Sequence, residues 1–171
     1  NSGKRLTRNI GPHKFNAQIG YPVQTKDQFG KIDAFLTKIR NSGDPFFLTL
    51  PIKENPDGIT KAFVNGAGQS GYALILDGMK EEYNPVGIKA GQYLKIEGSD
   101  KIYMASEDMT VDYLGTGTVQ LSQRLQFTPA DNAGVFLVNP EMKVDLVSVN
   151  RFDVQPPELY SYQIEVEEVI E

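Results

Sequence analysis

The chain has 171 residues, 40% hydrophobic and 23% charged, with a formal net charge of −5 and a pI near 5.0. That length supports one good core or two small ones sharing the chain, in an ordinary globular composition. It contains no cysteine, which excludes disulfides, thiolate metal sites and a cysteine nucleophile. No apolar run approaches the roughly 20 residues of a membrane-spanning helix. The cations are scattered apart from Lys4, Arg5 and Arg8, and an acidic chain without a basic face is poorly suited to gripping phosphates. Asn1-Ser2-Gly3-Lys4-Arg5 lacks an initiator Met and an apolar signal core, and reads as a trimmed terminus.

Lys14 to Tyr21 alternates polar and apolar, so Phe15, Ala17, Ile19 and Tyr21 are expected on one face of a strand. A helix is predicted over 25–40, because Phe29, Ile32, Phe35, Leu36 and Ile39 recur three and four residues apart as its core stripe. Thr25 with Gln28 offers a capping box, Lys38 and Arg40 suit the negative end of the dipole, and Asn41-Ser42-Gly43 is a stop. Pro45 to Leu50 reads as a short strand with Phe46, Leu48 and Leu50 on one face, ended by Pro51.

The middle of the chain differs in texture. Between the turn signals Asn55-Pro56-Asp57-Gly58 and Asn139-Pro140 it is rich in glycine. Short strands are expected at Ala62–Val64, Tyr72–Leu76, Tyr93–Glu97, Lys101–Ala105, Val119–Ser122 and Val135–Val138. That spacing points to a small barrel or sandwich. Residues 55–139 therefore read as an inserted small β-barrel domain, an independent unit within an outer β domain of residues 1–54 and 140–171. Two strands close the outer domain. Met142 to Phe152 has Val144, Leu146 and Ser148 on one parity and Val147 and Val149 on the other. Leu159 to Val166 puts Tyr160, Tyr162, Ile164 and Val166 on a buried face and Ser161, Gln163, Glu165 and Glu167 on an exposed one. The terminal acids Glu165, Glu167, Glu168 and Glu171 read either as a solvated strand or as a surface that repels passing DNA.

No set of residues converges on catalysis, a cofactor or a metal. Gly66-Ala67-Gly68-Gln69-Ser70-Gly71 satisfies G-x-G-x-x-G, but a dinucleotide loop must open a helix, and Tyr72 to Leu76 reads as a strand. His13, the single histidine, follows Gly11-Pro12 in a turn and has no nucleophile motif to serve. Glu107, Asp108 and Asp112 do not match the calcium-loop spacing and read as a solvated turn. Glu81 with Glu82, and Glu167 with Glu168, are adjacent on strands and point to opposite faces.

Ser2-Gly3-Lys4-Arg5, the strand ending at Tyr21-Pro22, the helix with its central Phe35-Leu36, and Phe46-Phe47-Leu48-Thr49-Leu50-Pro51 follow one another in an order that resembles the N-terminal part of bacteriophage distal tail and baseplate-type tail proteins. The inserted stretch adds Val64 to Gly71, Ile88 to Ile96, Lys101-Ile102-Tyr103-Met104 and Ala130-Asp131-Asn132-Ala133-Gly134-Val135. The resemblance implies a mainly β fold: a tail-tube-like β-sheet or split barrel with one packed helix, plus the inserted small β-barrel. It further implies a ring homo-oligomer, a hexamer, in the virion tail tip after assembly in the host cytoplasm. Its partners would be tail-tube, hub or fibre proteins, with DNA passing non-specifically through the ring and no membrane involved. Glu165 and Glu167 are then the candidate channel-facing acids, and no catalytic, cofactor or metal residue is required. Two other classes stay open. One is a receptor- or carbohydrate-binding module using Tyr83, Tyr93 and Tyr103. The other is a hydrolase with a degenerate site at His13.

Overall fold

The computed structural model describes residues 13–50, 61–79, 87–154 and 159–170, without the side chains of 151–154 and 159. Residues 1–12, 51–60, 80–86, 155–158 and 171 lie outside it, and with them Lys4, Arg5, Arg8, the Asn55–Gly58 turn, Glu81, Glu82, Tyr83 and Glu171. The fold is mainly β with one helix, and its strands form two sheets.

The first sheet contains β1 (Asn16–Gln24), β2 (Phe46–Thr49), β9 (Glu141–Val154) and β10 (Leu159–Glu168). Its order is β1-β10-β9-β2, with every neighbouring pair antiparallel. Alternation along β10 buries Tyr162, Ile164 and Val166, and Met142 and Val144 of β9 join them. Phe46, Leu48, Ala17, Ile19 and Tyr21 on the flanking strands are half-buried on the same face. In β9, Glu165 pairs with Ser148 but Val166 pairs with Leu146, so Val147 is an extra residue. This bulge reverses the parity of β9. Val144, Leu146 and Val149 thereby all face the core, and Val147 is left 55% exposed.

The helix α1 (Lys26–Ser42) covers part of that face. Gln28 accepts hydrogen bonds from the backbone N–H and the hydroxyl of Thr25 at its start. Gly43 ends it in the left-handed region at φ 67°, donating to the Ile39 carbonyl at 2.8 Å. Leu36 and Ile39 are buried, and Phe29 and Ile32 are half-buried. Phe35 departs from the expected core stripe: it is 44% exposed and packs edge-on against Phe46. At about 100° per residue it lies about 60° from the centre of the stripe, on its rim. Phe29 occupies the opposite rim but is covered by Tyr160 and Tyr162, at ring centroid distances of 4.2 and 4.7 Å.

The second sheet contains β3 (Lys61–Val64), β4 (Ala73–Asp77), β5 (Tyr93–Ile96), β6 (Ile102–Met104), β7 (Gly117–Gln120) and β8 (Gly134–Phe136), in the order β6-β5-β8-β3-β4-β7. Its two ends also meet. Ala105 bridges Leu121, flanked by hydrogen bonds from Ser106 N–H to the Gln120 carbonyl and from Ser122 N–H to the Met104 carbonyl, both 2.8 Å. The sheet therefore curls into a half-barrel whose two ends touch at this one bridge, around Val64, Leu74, Leu76, Leu94, Ile96, Tyr103, Val119 and Val135. Gly117 permits the tight return of β7, because a Cβ there would lie 2.6 Å from the Thr110 carbonyl oxygen.

The barrel is not packed separately from the first sheet. Ile102 and Tyr93, from its β5–β6 hairpin, belong to the same core cluster as Tyr162, Ile164 and Val166. One face of the first sheet is thus covered jointly by α1 and the barrel, and among the described residues the other face has no layer upon it except at its β2–β9 end, where Lys95 and Asp100 of the barrel reach Phe47 and Lys143.

Candidate functional site

The uncovered face is polar by construction of the alternation. Asn16, Gln18 and Gly20 on β1 stand opposite Glu167, Glu165 and Gln163 on β10. These in turn stand opposite Asp145, Ser148 and Asn150 on β9. Asp145 directly faces Glu167, a like-charge pair that costs a sheet some stability. Lys14 relieves it in part, reaching Glu167 at 2.9 Å in an exposed ion pair. Ser148 donates its hydroxyl hydrogen to Glu165 at 3.2 Å. Glu165 and Glu167 therefore share the open face with Asp145, which sequence reasoning had not placed beside them. The β9 register that joins them is set by the bulge. Near that bulge an open groove of about 370 Å³ runs beside the helix end, lined by Arg40, Asp44, Asp145 and Val147 among others.

The edges of this sheet are as informative as its face. Glu168 N–H donates to the Phe15 carbonyl, so the odd residues of β1 turn their backbone groups toward β10. Asn16, Gln18 and Gly20 consequently direct N–H and C=O outward. At the other edge Leu50 N–H donates to the Pro140 carbonyl, which leaves the outward-directed groups of β2 on Phe47 and Thr49. Among the described residues no strand pairs with either outer edge. Both rows of outward groups belong to residues on the open face. Phe47 stands out there at 57% exposure, with the Lys95 ammonium 5.5 Å from its ring centre.

Glu168 follows Val166 on the buried parity and is not the solvated acid its composition suggests. Its side chain is fully buried and accepts from the Lys101 ammonium at 2.5 Å, Ile102 N–H at 2.7 Å and Phe15 N–H at 3.0 Å. The same ammonium lies 4.6 Å from the Phe15 ring centre. Burial pushes the Lys101 amine below the ordinary lysine value, against the opposing hydrogen bond and charge of Glu168. This cluster ties the barrel to the start of β1 and the end of β10. Outside it, Lys143 reaches Asp100 at 3.4 Å and Lys95 donates to the Glu141 carbonyl at 3.1 Å.

The loops with chemical promise are occupied by their own side chains. The Gly66–Gly71 loop joins β3 to β4 with no helix after it. Gln69 fills the loop, donating to the carbonyls of Asn65, Gly66 and Ile75 and accepting from Ile75 N–H at 2.6 Å. Gly66 N–H goes to Asp131 at 2.8 Å, so a donor that a pyrophosphate would need is already used. Asp108 accepts from Ala90 N–H and lies 3.4 Å from Lys89, which holds its carboxyl below the usual range. Asp112 accepts from the N–H groups of Leu114 and Thr116, shaping a hairpin whose tip, Tyr113 and Leu114, is exposed. Among the described residues no three acids or histidines gather to hold a metal ion.

Three other candidate residues remain to be placed. His13 is exposed and stacks edge-on with Phe15. Tyr103, expected among exposed sugar-stacking tyrosines, is fully buried in the barrel, and its oxygen accepts from Gln126 N–H at 3.0 Å. Tyr93 is half-buried against Phe15 at the junction with the sheet. No helix among the described residues is long and apolar enough to cross a membrane. The sequence matches no protein-family model and no curated protein.

Proposed function

We propose that this chain is a structural, ring-forming component of a bacteriophage tail tip or baseplate, with the four-stranded sheet as its assembling part. The observation that carries the reading is the agreement between the two open edges of that sheet. Strand directions alternate across β1-β10-β9-β2, so β1 of a second copy meets β2 of the first antiparallel. The outward backbone groups on both edges belong to residues of the same face. Joining them therefore continues the sheet without turning it over. A head-to-tail contact of this kind repeats, and a repeated rotation closes into a ring.

The polar face then lines the bore. Six copies would bring about 24 strands into one wall, about 115 Å around at about 4.8 Å per strand before tilt, room enough for a duplex. Glu165, Glu167 and Asp145 would repeat around the axis and discourage the phosphate backbone from sticking. That role gives a reason to keep Asp145 and Glu167 opposite each other despite their repulsion. The barrel, carried on the other face, would sit outside the ring and meet neighbouring tail-tube, hub or fibre proteins. No catalytic step or cofactor enters this account, and the setting would be the virion. Negative-stain images of the purified protein test it. Rings with a central hole are expected, and monomers at every concentration would overturn the reading.

A further inference from the structure

We infer that neighbouring copies join in one register, in which Phe47 of one copy covers Gly20 of the next and Thr49 lies opposite Gln18. The inference rests on the ring reading above and adds which residues meet. Phe47 is the large apolar side chain that β2 leaves exposed on the open face. Gly20 lies on the facing edge, with nothing within 4 Å of where its Cβ would stand. A glycine inside a strand marks a place where another group approaches closely, and an aromatic ring laid across it restores the missing cover.

The opposite face supports the same register. Phe46 would then face Tyr21 and Leu48 would face Ile19, an aromatic pair and an aliphatic pair. All four side chains are only half-buried within one copy. Sliding the strands by two residues, the smallest shift that keeps the faces, places Phe47 over Gln18 and Leu48 opposite the smaller Ala17. The regular part of β1 also ends where its pairing with β10 shifts between Tyr21 and Gln24, so the four residues of β2 occupy its regular part.

The absence of native cysteine makes disulfide trapping a clean test. A directly opposed strand pair has Cα atoms about 5.5 Å apart, within disulfide reach. Two double variants, Gly20→Cys/Phe47→Cys and Gln18→Cys/Thr49→Cys, should form a covalent ladder of multimers on mild oxidation. Mixing the corresponding single variants should give dimers alone. The off-register pairs Gln18→Cys/Phe47→Cys and Asn16→Cys/Thr49→Cys should stay uncrosslinked. Solution mass is measured on each reduced variant, so that loss of assembly is separated from loss of register. Ladders from the off-register pairs, with none from the first two in assembled protein, would overturn the register and leave the ring intact. Absence of assembly in the parent protein would instead overturn the ring.

Discussion

The two sheets of this protein solve the same problem in opposite ways. The six-stranded sheet curls until Ala105 meets Leu121, and its own strands wrap its core. Among the described residues the four-stranded sheet keeps two edges and one face open, and it borrows Ile102 and Tyr93 to finish the face it does cover. A sheet curled around its own core is largely complete as a single copy. An open sheet with unpaired groups at both ends is a template for further pairing, which natural proteins otherwise blunt with charge, proline or bulges. On the proposed reading the sheet is the part that assembles and the barrel is the part that is carried.

The largest expected effect tests how firmly the barrel is joined. Replacing Lys101 by Met leaves the Glu168 carboxylate buried without its cation. Stability should fall by about 3–5 kcal/mol in urea unfolding. The double replacement Lys101→Met/Glu168→Leu removes both charges and should recover most of that loss. Deleting residues 57–139 removes the Lys101 and Ile102 partners of Glu168 and strips Ile102 and Tyr93 from the sheet's core. The remainder should show no cooperative unfolding, whereas a linker alone would cost little closure entropy. Cooperative melting of that remainder would show that the sheet is complete without the barrel.

Inside the barrel, Leu74→Ala should cost about 2–5 kcal/mol, since the side chain is fully buried. On the sheet side, Phe35→Ala should cost about 1–2 kcal/mol, because nearly half of that ring is in water before the change. Paired melting curves decide between them, and equal losses would break the comparison. Smaller still is the effect on folding of Glu165→Lys with Glu167→Lys, within about 1 kcal/mol. In the assembled protein the same pair should create salt-sensitive DNA retention, because each new phosphate contact releases counterions. Retention no greater than that of the parent would take these two acids off the bore.

Much of this architecture is legible in the sequence where a single periodicity governs. The alternation of Tyr162, Ile164 and Val166 predicts the buried face of β10, and the stripe ending at Ile39 predicts the helix. Phe35 shows the limit: a wheel places it on the rim, and only Phe46 beside it decides how much is covered. The bulge at Val147 was not legible, because either parity of Val144 to Val149 is acceptable until β10 sets the register. Lys101 and Glu168 lie 67 positions apart, and each resembles an ordinary surface charge. One signal was present: Glu168 extends the buried parity of Val166. Pro22 within β1 is a local sign of an edge strand, but the pair of open edges appears only once strand order is known.

The central claim is that assembly runs through those edges, and the mass of the protein in solution tests it most directly. Gln18 offers the cleanest block, because its backbone N–H points out of the sheet and a proline there removes an edge donor while sparing the β1–β10 ladder. Light scattering after size separation should find the parent protein as a closed multimer and Gln18→Pro as a folded monomer with a near-normal melting curve. A monomeric parent, or a Gln18→Pro variant that still forms the multimer, would contradict the account.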